Sequence, residues 1–308
     1  MSKIPVFIFN KGLLKILKRT FQSWNQDEPF RLSAVVAYYA LLSLPALLII
    51  VINTAGYIFG EEAIQGQISG EIQSMLGDDS AKQVEVMIAN ASEQKGSTIA
   101  SIISIAFLLF GATGAFFHLQ KSLNIVWRVK EDPNNTLKRV LLDRATAFGM
   151  ILVIAFLLLV SLVLTAVISE LTNWFMGFLP EYLVYLFYIV NFLVSLLIIT
   201  LLFALMFKAL PDVKIPWRVV WMGALLTSLL FVLAKFALGI YFGQTNPGST
   251  YGAAGSIVLI MLWISYSCLI LFFGAEFTKE YASYYNVDPE PSSYSVKYKQ
   301  ELKPINKG

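Results

Sequence analysis

The sequence is poor in charge and in the residue types that build most metal and nucleophile sites. Charged residues make up 14% of the 308-residue chain, which holds one histidine and one cysteine. Soluble domains carry about 25% charged residues, so this composition excludes an ordinary soluble protein. The single cysteine, Cys268, cannot form an intrachain disulfide and, within an apolar run, favours a packing role.

The missing motifs limit the catalytic chemistry. A single histidine, His118, excludes the HExxH zinc motif, and its own apolar run offers no carboxylate for a His-dependent triad. The phosphate-binding pattern GxxxxGK[ST] does not occur. We therefore expect no catalytic residues, no metal site, no cofactor and no enzymatic activity. A membrane-bound hydrolase or nuclease is the less favoured alternative.

Long apolar runs dominate what is present. Hydrophobic residues make up 57% of the chain, and the mean hydropathy is +0.67. The run from Gly255 to Gly274 carries no formal charge, and at about 1.5 Å per helical residue it matches the ~30 Å hydrocarbon core of a bilayer. Five other runs resemble it. The sequence predicts an all-α, polytopic membrane protein with six spans, at about 34–59, 98–127, 145–169, 182–207, 217–242 and 252–278.

Three segments outside the spans have distinct compositions. Residues 1–33 combine lysines on one helical face with apolar residues on another, which predicts a basic amphipathic helix in the membrane interface and favours lipid over nucleic acid as its partner. Residues 60–97 are acidic, and apolar residues recur there every four positions, predicting two short helices joined by a turn that begins at Gly77. Residues 283–308, rich in Pro, Ser, Tyr and Lys, predict a tail with little order.

The basic residues predict an orientation. Of the 23 lysine and arginine residues, 20 fall in segments that alternating spans place on one side of the membrane. By the positive-inside rule both termini lie in the cytoplasm, and the acidic segment 60–97 faces outwards.

Polar residues within or beside the spans are the candidate substrate-binding residues: Lys235, Glu276, His118, Asn53 and Asn191. Lys235 is the one charge well inside an apolar run, which by default indicates a functional site. Its side chain can also snorkel to the interface, because the predicted span ends about two turns later at Phe242. Glu276 can contact a substrate or simply pair with Lys279 one turn on. His118 can act as a proton-sensitive group or as a hydrogen-bonded core residue.

Four blocks in order resemble the YihY/BrkB family of bacterial inner-membrane proteins. They are RLSAVVAYYALLSLPALL in the first span, LQKSLNIVW ending the second, LPDVKIPWRVVWMGALLTSLLF entering the fifth and YGAAGSIVLIMLWISYSCLILFFGAE in the sixth. The similarity covers most of residues 15–282. It implies a six-helix, multi-pass inner-membrane protein with both ends in the cytoplasm. It supplies no catalytic residues, and the former family label, ribonuclease BN, is regarded as mistaken.

Two functions fit these features. The first is transport or translocation of a lipid or another amphiphile, with the polar residues along its path; the resemblance implies a role in lipid or envelope export for some members. The second is a non-transporting structural or assembly protein of the bacterial envelope, whose outer segment 60–97 docks an envelope protein partner. Membrane lipids are expected partners in both cases, and a homo-oligomer is compatible with both.

Overall fold

A computed structural model describes residues 11–92, 114–131, 145, 149, 181–245, 251, 254–293 and 295–298. The helices within these residues are α1 (Lys11–Gln26), α2 (Pro29–Phe59), α3 (Glu61–Leu76), α4 (Asp78–Ser92), α5 (114–126), α6 (Glu181–Ala209), α7 (Trp217–Thr245) and α8 (Gly255–Tyr284). The strands are β1 (Val129–Glu131), β2 (Val213–Lys214), β3 (Glu290–Pro291) and β4 (Ser295–Lys297). The described part of the chain is therefore a helical bundle with short β ladders.

Three described helices are long and apolar enough to cross a membrane, over Ile189–Ala209, Trp217–Phe242 and Gly255–Tyr284. They coincide with the fourth, fifth and sixth predicted spans. The first predicted span lies in α2, which begins at Pro29, where proline suits a first helical turn, and continues through Pro45. Residues 98–113 of the second predicted span lie outside the described residues, as does the third, 145–169, apart from positions 145 and 149.

Helices α7 and α8 cross closely because glycine faces threonine twice. A Cβ atom added to Gly223 would stand 1.8 Å from Thr278 Oγ1, and one added to Gly274 would stand 1.8 Å from Thr227 Oγ1. Both threonines are fully buried. Each hydroxyl donates to the carbonyl of the glycine four residues earlier in its own helix, at 2.7 Å from Thr227 and 2.6 Å from Thr278. The missing glycine side chains thus let the two backbones approach.

Two apolar clusters occupy opposite ends of the bundle. The larger contains side chains of α1, α5 and α6, together with the first half of α7 and the second half of α8. We call this the charged end, because it also holds the buried residues Asp27, Asp212 and Glu276. The smaller cluster joins α3 and α4 to α2 and to the other halves of α7 and α8. We call it the hairpin end.

The hairpin of α3 and α4 packs on α2, α7 and α8 through its apolar side chains. Gly77 joins the two helices with a φ of 85°, a backbone conformation that glycine adopts readily. Ile64 of α3 and Val84 and Ile88 of α4 are buried, whereas the acidic side chains of both helices are exposed. The hairpin therefore has the two amphipathic faces that the residue pattern indicates.

Helix α1 lies along α8. Its Trp24 Nε1 donates to Leu269 O at 3.2 Å, and near its start a Cβ on Gly12 would stand 2.9 Å from the Tyr284 hydroxyl. Because the start of α1 meets the end of α8, the two helices run antiparallel. The basic face of α1 stays exposed, and its placement in the membrane interface stays a prediction.

The tail differs from the expectation of little order where the structure describes it. Helix α8 extends to Tyr284, β3 pairs antiparallel with β2, and β4 pairs antiparallel with β1. These backbone hydrogen bonds to two loops offset the entropy lost on ordering, and composition alone does not reveal them. Residues 299–308 lie outside the described residues.

Candidate functional site

Two acidic and two basic side chains meet at the charged end. Asp27 lies between α1 and α2, Arg128 follows α5, and Glu276 and Lys279 lie on α8. Arg128 Nη2 donates to Asp27 Oδ1 at 2.6 Å, and Lys279 Nζ lies 2.6 Å from Glu276 Oε2. The side chains of Asp27 and Glu276 are only 4% and 1% exposed. Nearby opposite charges are the usual condition for burying charged groups.

The last turn of α5 positions both cations. Lys279 Nζ donates to Val126 O at 3.0 Å, and Arg128 Nη1 donates to Ile125 O at 3.1 Å. A helix C-terminus leaves such carbonyls unpaired and favours positive charge. Arg128 itself has a left-handed φ of 55°, a conformation common just after a helix. Burial lowers the pKa of Arg128, but the hydrogen bond and charge of Asp27 outweigh it, so the pKa is raised.

A second polar network ties α5 to the loop between α6 and α7. Asn124 Nδ2 donates to Asp212 Oδ2 at 2.8 Å, and the Asp212 backbone N–H donates to Asn124 Oδ1 at 2.9 Å. Gln120 Nε2 lies 3.4 Å from the other Asp212 oxygen. From the tail, Ser295 Oγ and the Ser292 N–H donate to the Asp212 carbonyl at 2.7 and 2.9 Å. The buried Asp212 thus joins the loop between α6 and α7 both to α5 and to the tail. This loop and the end of α5 belong to two of the sequence blocks that resemble the family.

At the hairpin end, Lys235 of α7 pairs with Glu71 of α3. Lys235 Nζ lies 3.1 Å from Glu71 Oε2, and the two side chains are 35% and 55% exposed. Lys235 precedes Phe242, where the candidate span ends, by seven residues, or about 10 Å along the helix. Large exposed apolar side chains lie near it on α7: Leu233, Phe236 and Ile240. The site therefore places an ammonium group beside an apolar surface.

The five candidate residues predicted from the sequence lie on five different helices. Lys235 and Glu276 lie in the two sites just described, at opposite ends of the bundle. His118 lies in α5 and stacks on Tyr39 of α2, with ring centroids 3.8 Å apart. Asn191 lies in α6, and its buried Oδ1 has no hydrogen-bond partner among the described residues. Asn53 lies in α2, but its side chain falls outside the described part.

The sequence predicts the ion pair within α8 but not the pair between distant segments. The pairing of Glu276 with Lys279 is confirmed. Asp27 and Arg128 are missed, because 101 positions separate them and the only available signal is that both border predicted spans on the same side. Within the residues that the structure describes, no three His, Cys, Asp or Glu side chains form a group that can hold a metal ion.

Long apolar helices, joined at one end by buried polar contacts, define an integral membrane protein of the helical-bundle class. The family described as virulence factor BrkB matches residues 20–297, and the chain belongs to that family. The YihY/BrkB resemblance is thereby confirmed.

Curated relatives are described as UPF0761 membrane proteins. One from Idiomarina loihiensis is 26% identical, with 95% of this chain and 100% of the relative covered. One from Tolumonas auensis is also 26% identical, with 83% and 81% covered. One from Verminephrobacter eiseniae is 28% identical over 73% of this chain, which spans only 51% of that relative's length. These three descriptions name no substrate or reaction, and no solved structure matches the chain.

Proposed function

We propose that this protein carries a lipid or another amphiphile across the bacterial inner membrane, and that Lys235 contacts an anionic headgroup. The position of Lys235 supports the proposal, since it is half-buried within a candidate span and lies beside exposed apolar side chains. An anionic amphiphile has the two complementary parts. Charged residues within a span commonly mark substrate pathways.

In this proposal Glu71 and the anionic headgroup compete for Lys235. It lies on the α3–α4 hairpin rather than on a candidate span, and its ion pair with Lys235 is partly exposed. Exposed ion pairs contribute about 0–1 kcal/mol, so an anionic headgroup can take the place of Glu71 at small energetic cost. The released Glu71 side chain, already 55% exposed, can be solvated.

The proposed orientation follows the distribution of basic residues. The charged end faces the cytoplasm and the hairpin end faces outwards, with both termini in the cytoplasm. Lys235 then lies in the outer half of the bilayer. The proposal assigns no catalytic residue to the protein.

The test is the movement of headgroup-labelled lipids in proteoliposomes. The variants are Lys235→Ala, Glu71→Gln and the matched control Lys82→Ala, which removes an exposed lysine of α4 without touching the ion pair. We expect headgroup-selective movement by the parent and by Lys82→Ala, its loss in Lys235→Ala, and its retention in Glu71→Gln. Equal failure of Lys235→Ala and Glu71→Gln would instead make the ion pair a structural contact. A folded parent protein that moves no lipid contradicts the transport proposal.

A structural or assembly role in the envelope is the second candidate, favoured by hydroxyl contacts between helices. Ser265 Oγ of α8 donates to Ser33 Oγ of α2 at 3.2 Å, and the hydroxyls of Thr200 in α6 and Ser228 in α7 lie 2.7 Å apart. Such contacts hold membrane helices together. In this role the exposed acidic face of the hairpin docks an envelope protein. Cross-linking from that face to one specific partner, together with an absence of lipid movement, would support it.

A further inference from the structure

Helix α1 follows α8 along its length. At its start, a Cβ on Gly12 would stand 2.9 Å from the Tyr284 hydroxyl at the end of α8. Near its end, Trp24 Nε1 donates to Leu269 O at 3.2 Å, and the Trp24 ring lies 6.0 Å from that of Phe273. Leu269 precedes Tyr284 by 15 residues, or about 22 Å along the helix. The contact with α8 therefore advances as α1 proceeds.

This course brings the end of α1 beside the apolar part of α8. The run Gly255–Gly274 holds no formal charge, and at about 1.5 Å per residue it covers the ~30 Å hydrocarbon core of a bilayer. Leu269 lies inside this run, whereas Tyr284 lies ten residues beyond it. A helix that begins beside Tyr284 and reaches Leu269 therefore starts outside the hydrocarbon core and slopes into it.

The polarity of α1 changes in the same direction. All its basic residues fall within its first nine positions: Lys11, Lys15, Lys18 and Arg19. Aromatic residues follow, and their rings form a row from α1 to α2, with centroids 5.8 Å apart for Phe21 and Trp24 and 5.9 Å apart for Trp24 and Phe30. Phe21 and Phe30 are exposed. Basic side chains suit lipid headgroups, and aromatic rings suit the boundary between headgroups and acyl chains.

The cations of α1 are accessible to lipid headgroups. Lys15, Lys18 and Arg19 are exposed, and none of them forms an ion pair with another described residue. Leu14 and Phe21 are also exposed, and their spacing of seven residues places them on one face, two turns apart. The surface therefore offers positive charge beside apolar contacts, which matches the two parts of an anionic phospholipid.

We propose that α1 enters the membrane at a slope and that its exposed side, continued by Phe30 of α2, binds anionic phospholipids of the leaflet at the charged end. The three exposed cations contact headgroups, and Phe21 and Phe30 contact acyl chains. Several cations act together on an anionic leaflet, whereas a single dissolved lipid contacts only part of this surface. The inference does not rest on the proposed lipid transport, because Lys235 lies at the other end of the bundle.

Depth measurements on the full-length protein in vesicles of phosphatidylglycerol and phosphatidylcholine test the slope. Nitroxide labels are attached to Leu14→Cys and Phe21→Cys proteins, and the unsubstituted protein is the labelling control because Cys268 is buried. Collisions with oxygen and with a water-soluble nickel chelate give the depth of each label. The two positions are about 10 Å apart along α1, so we expect the label at position 21 to lie several ångströms deeper. Equal depths, as in a helix parallel to the membrane plane, would overturn the proposal.

Spin-labelled phosphatidylglycerol and phosphatidylcholine test the preference for anionic lipid in the same vesicles. We expect the parent protein to immobilise a larger fraction of phosphatidylglycerol, and this excess should fall with added salt. Joint replacement by glutamine of Lys15, Lys18 and Arg19 should reduce the excess strongly. Lys82→Gln, which changes an exposed lysine of α4, is the control and should leave it unchanged.

Two results of the lipid measurement would overturn the proposal. One is a parent protein that immobilises both lipids equally. The other is a folded triple variant that keeps the full excess of phosphatidylglycerol. The same triple replacement in a Lys235→Ala protein should still reduce the excess, so this result is separate from a failure of the headgroup site at Lys235.

Discussion

The two ends of the bundle use polar residues in different ways. At the charged end they are buried and join segments far apart in the sequence, as Asn124 does with Asp212. At the hairpin end they stay near the surface, as Lys235 and Glu71 do, and apolar packing joins the helices. Removing a partner therefore leaves a buried group unsatisfied at the charged end, whereas water can replace the partner at the hairpin end.

This difference suggests a division of roles. The charged end fixes how α5, α7, α8 and the tail are arranged, because its contacts are specific and enclosed. The hairpin end leaves the ammonium group of Lys235 partly exposed. Substitutions matched between the two ends can test this comparison.

The largest effect is expected where α7 crosses α8, in the charged end. Gly223→Ala and Gly274→Ala each drive a methyl group into a buried threonine. We expect a loss of about 3 kcal/mol in the free energy of unfolding, as for an overpacked core. Gly239→Ala, farther along α7, is the control, because a Cβ there meets nothing within 4 Å; its change should stay within about 1 kcal/mol.

Thermal unfolding in detergent measures this difference. We expect a clearly lower unfolding temperature for Gly223→Ala than for Gly239→Ala. Equal unfolding temperatures would contradict the close crossing of α7 and α8.

A smaller loss is expected for Asn124→Ala, also at the charged end. It leaves the buried carboxylate and backbone N–H of Asp212 without their Asn124 partner, and we expect a loss of about 2 kcal/mol. The control at the hairpin end is Gln73→Ala, which removes an exposed hydrogen bond of 2.7 Å to Asp78 and should change stability by less than about 0.5 kcal/mol. Denaturant titration of both variants compares them, and similar losses would erase the distinction between the ends.

The smallest effect on stability is expected for Glu71→Gln. The free energy of unfolding should change by less than about 1 kcal/mol, because the ion pair with Lys235 is partly exposed. Added salt should reduce the change further, since mobile ions screen exposed charges. Unfolding at low and high salt measures both effects. A loss as large as that of Asn124→Ala would mean that the hairpin end also depends on its charges.

The sequence predicts features that depend on short-range pattern. Apolar length places α6, α7 and α8 on three predicted spans, and one-turn spacing predicts the pair of Glu276 and Lys279. Contacts between residues far apart in the sequence depend on how the helices pack, which one sequence does not reveal. Asn124 and Asp212 are 88 positions apart, and no pattern in one sequence pairs them. The order in the tail is likewise supplied by β1 and β2 rather than by its own composition.

The crossing of α7 and α8 is only partly predictable from the sequence. Each helix carries a glycine followed four residues later by threonine, at Gly223 and Thr227 and at Gly274 and Thr278. Small residues at this spacing favour close helix contact, so the sequence holds a usable signal. Which glycine meets which threonine follows only from the antiparallel packing of the two helices.

The most direct test of the proposed headgroup site is binding of a short-chain anionic phospholipid to the purified protein, compared with a zwitterionic lipid of equal chain length. We expect a preference for the anionic lipid that is lost in Lys235→Ala, strengthened in Glu71→Gln and unchanged in Lys82→Ala. A folded Lys235→Ala protein that keeps the preference of the parent would contradict the assignment of Lys235 as the headgroup contact.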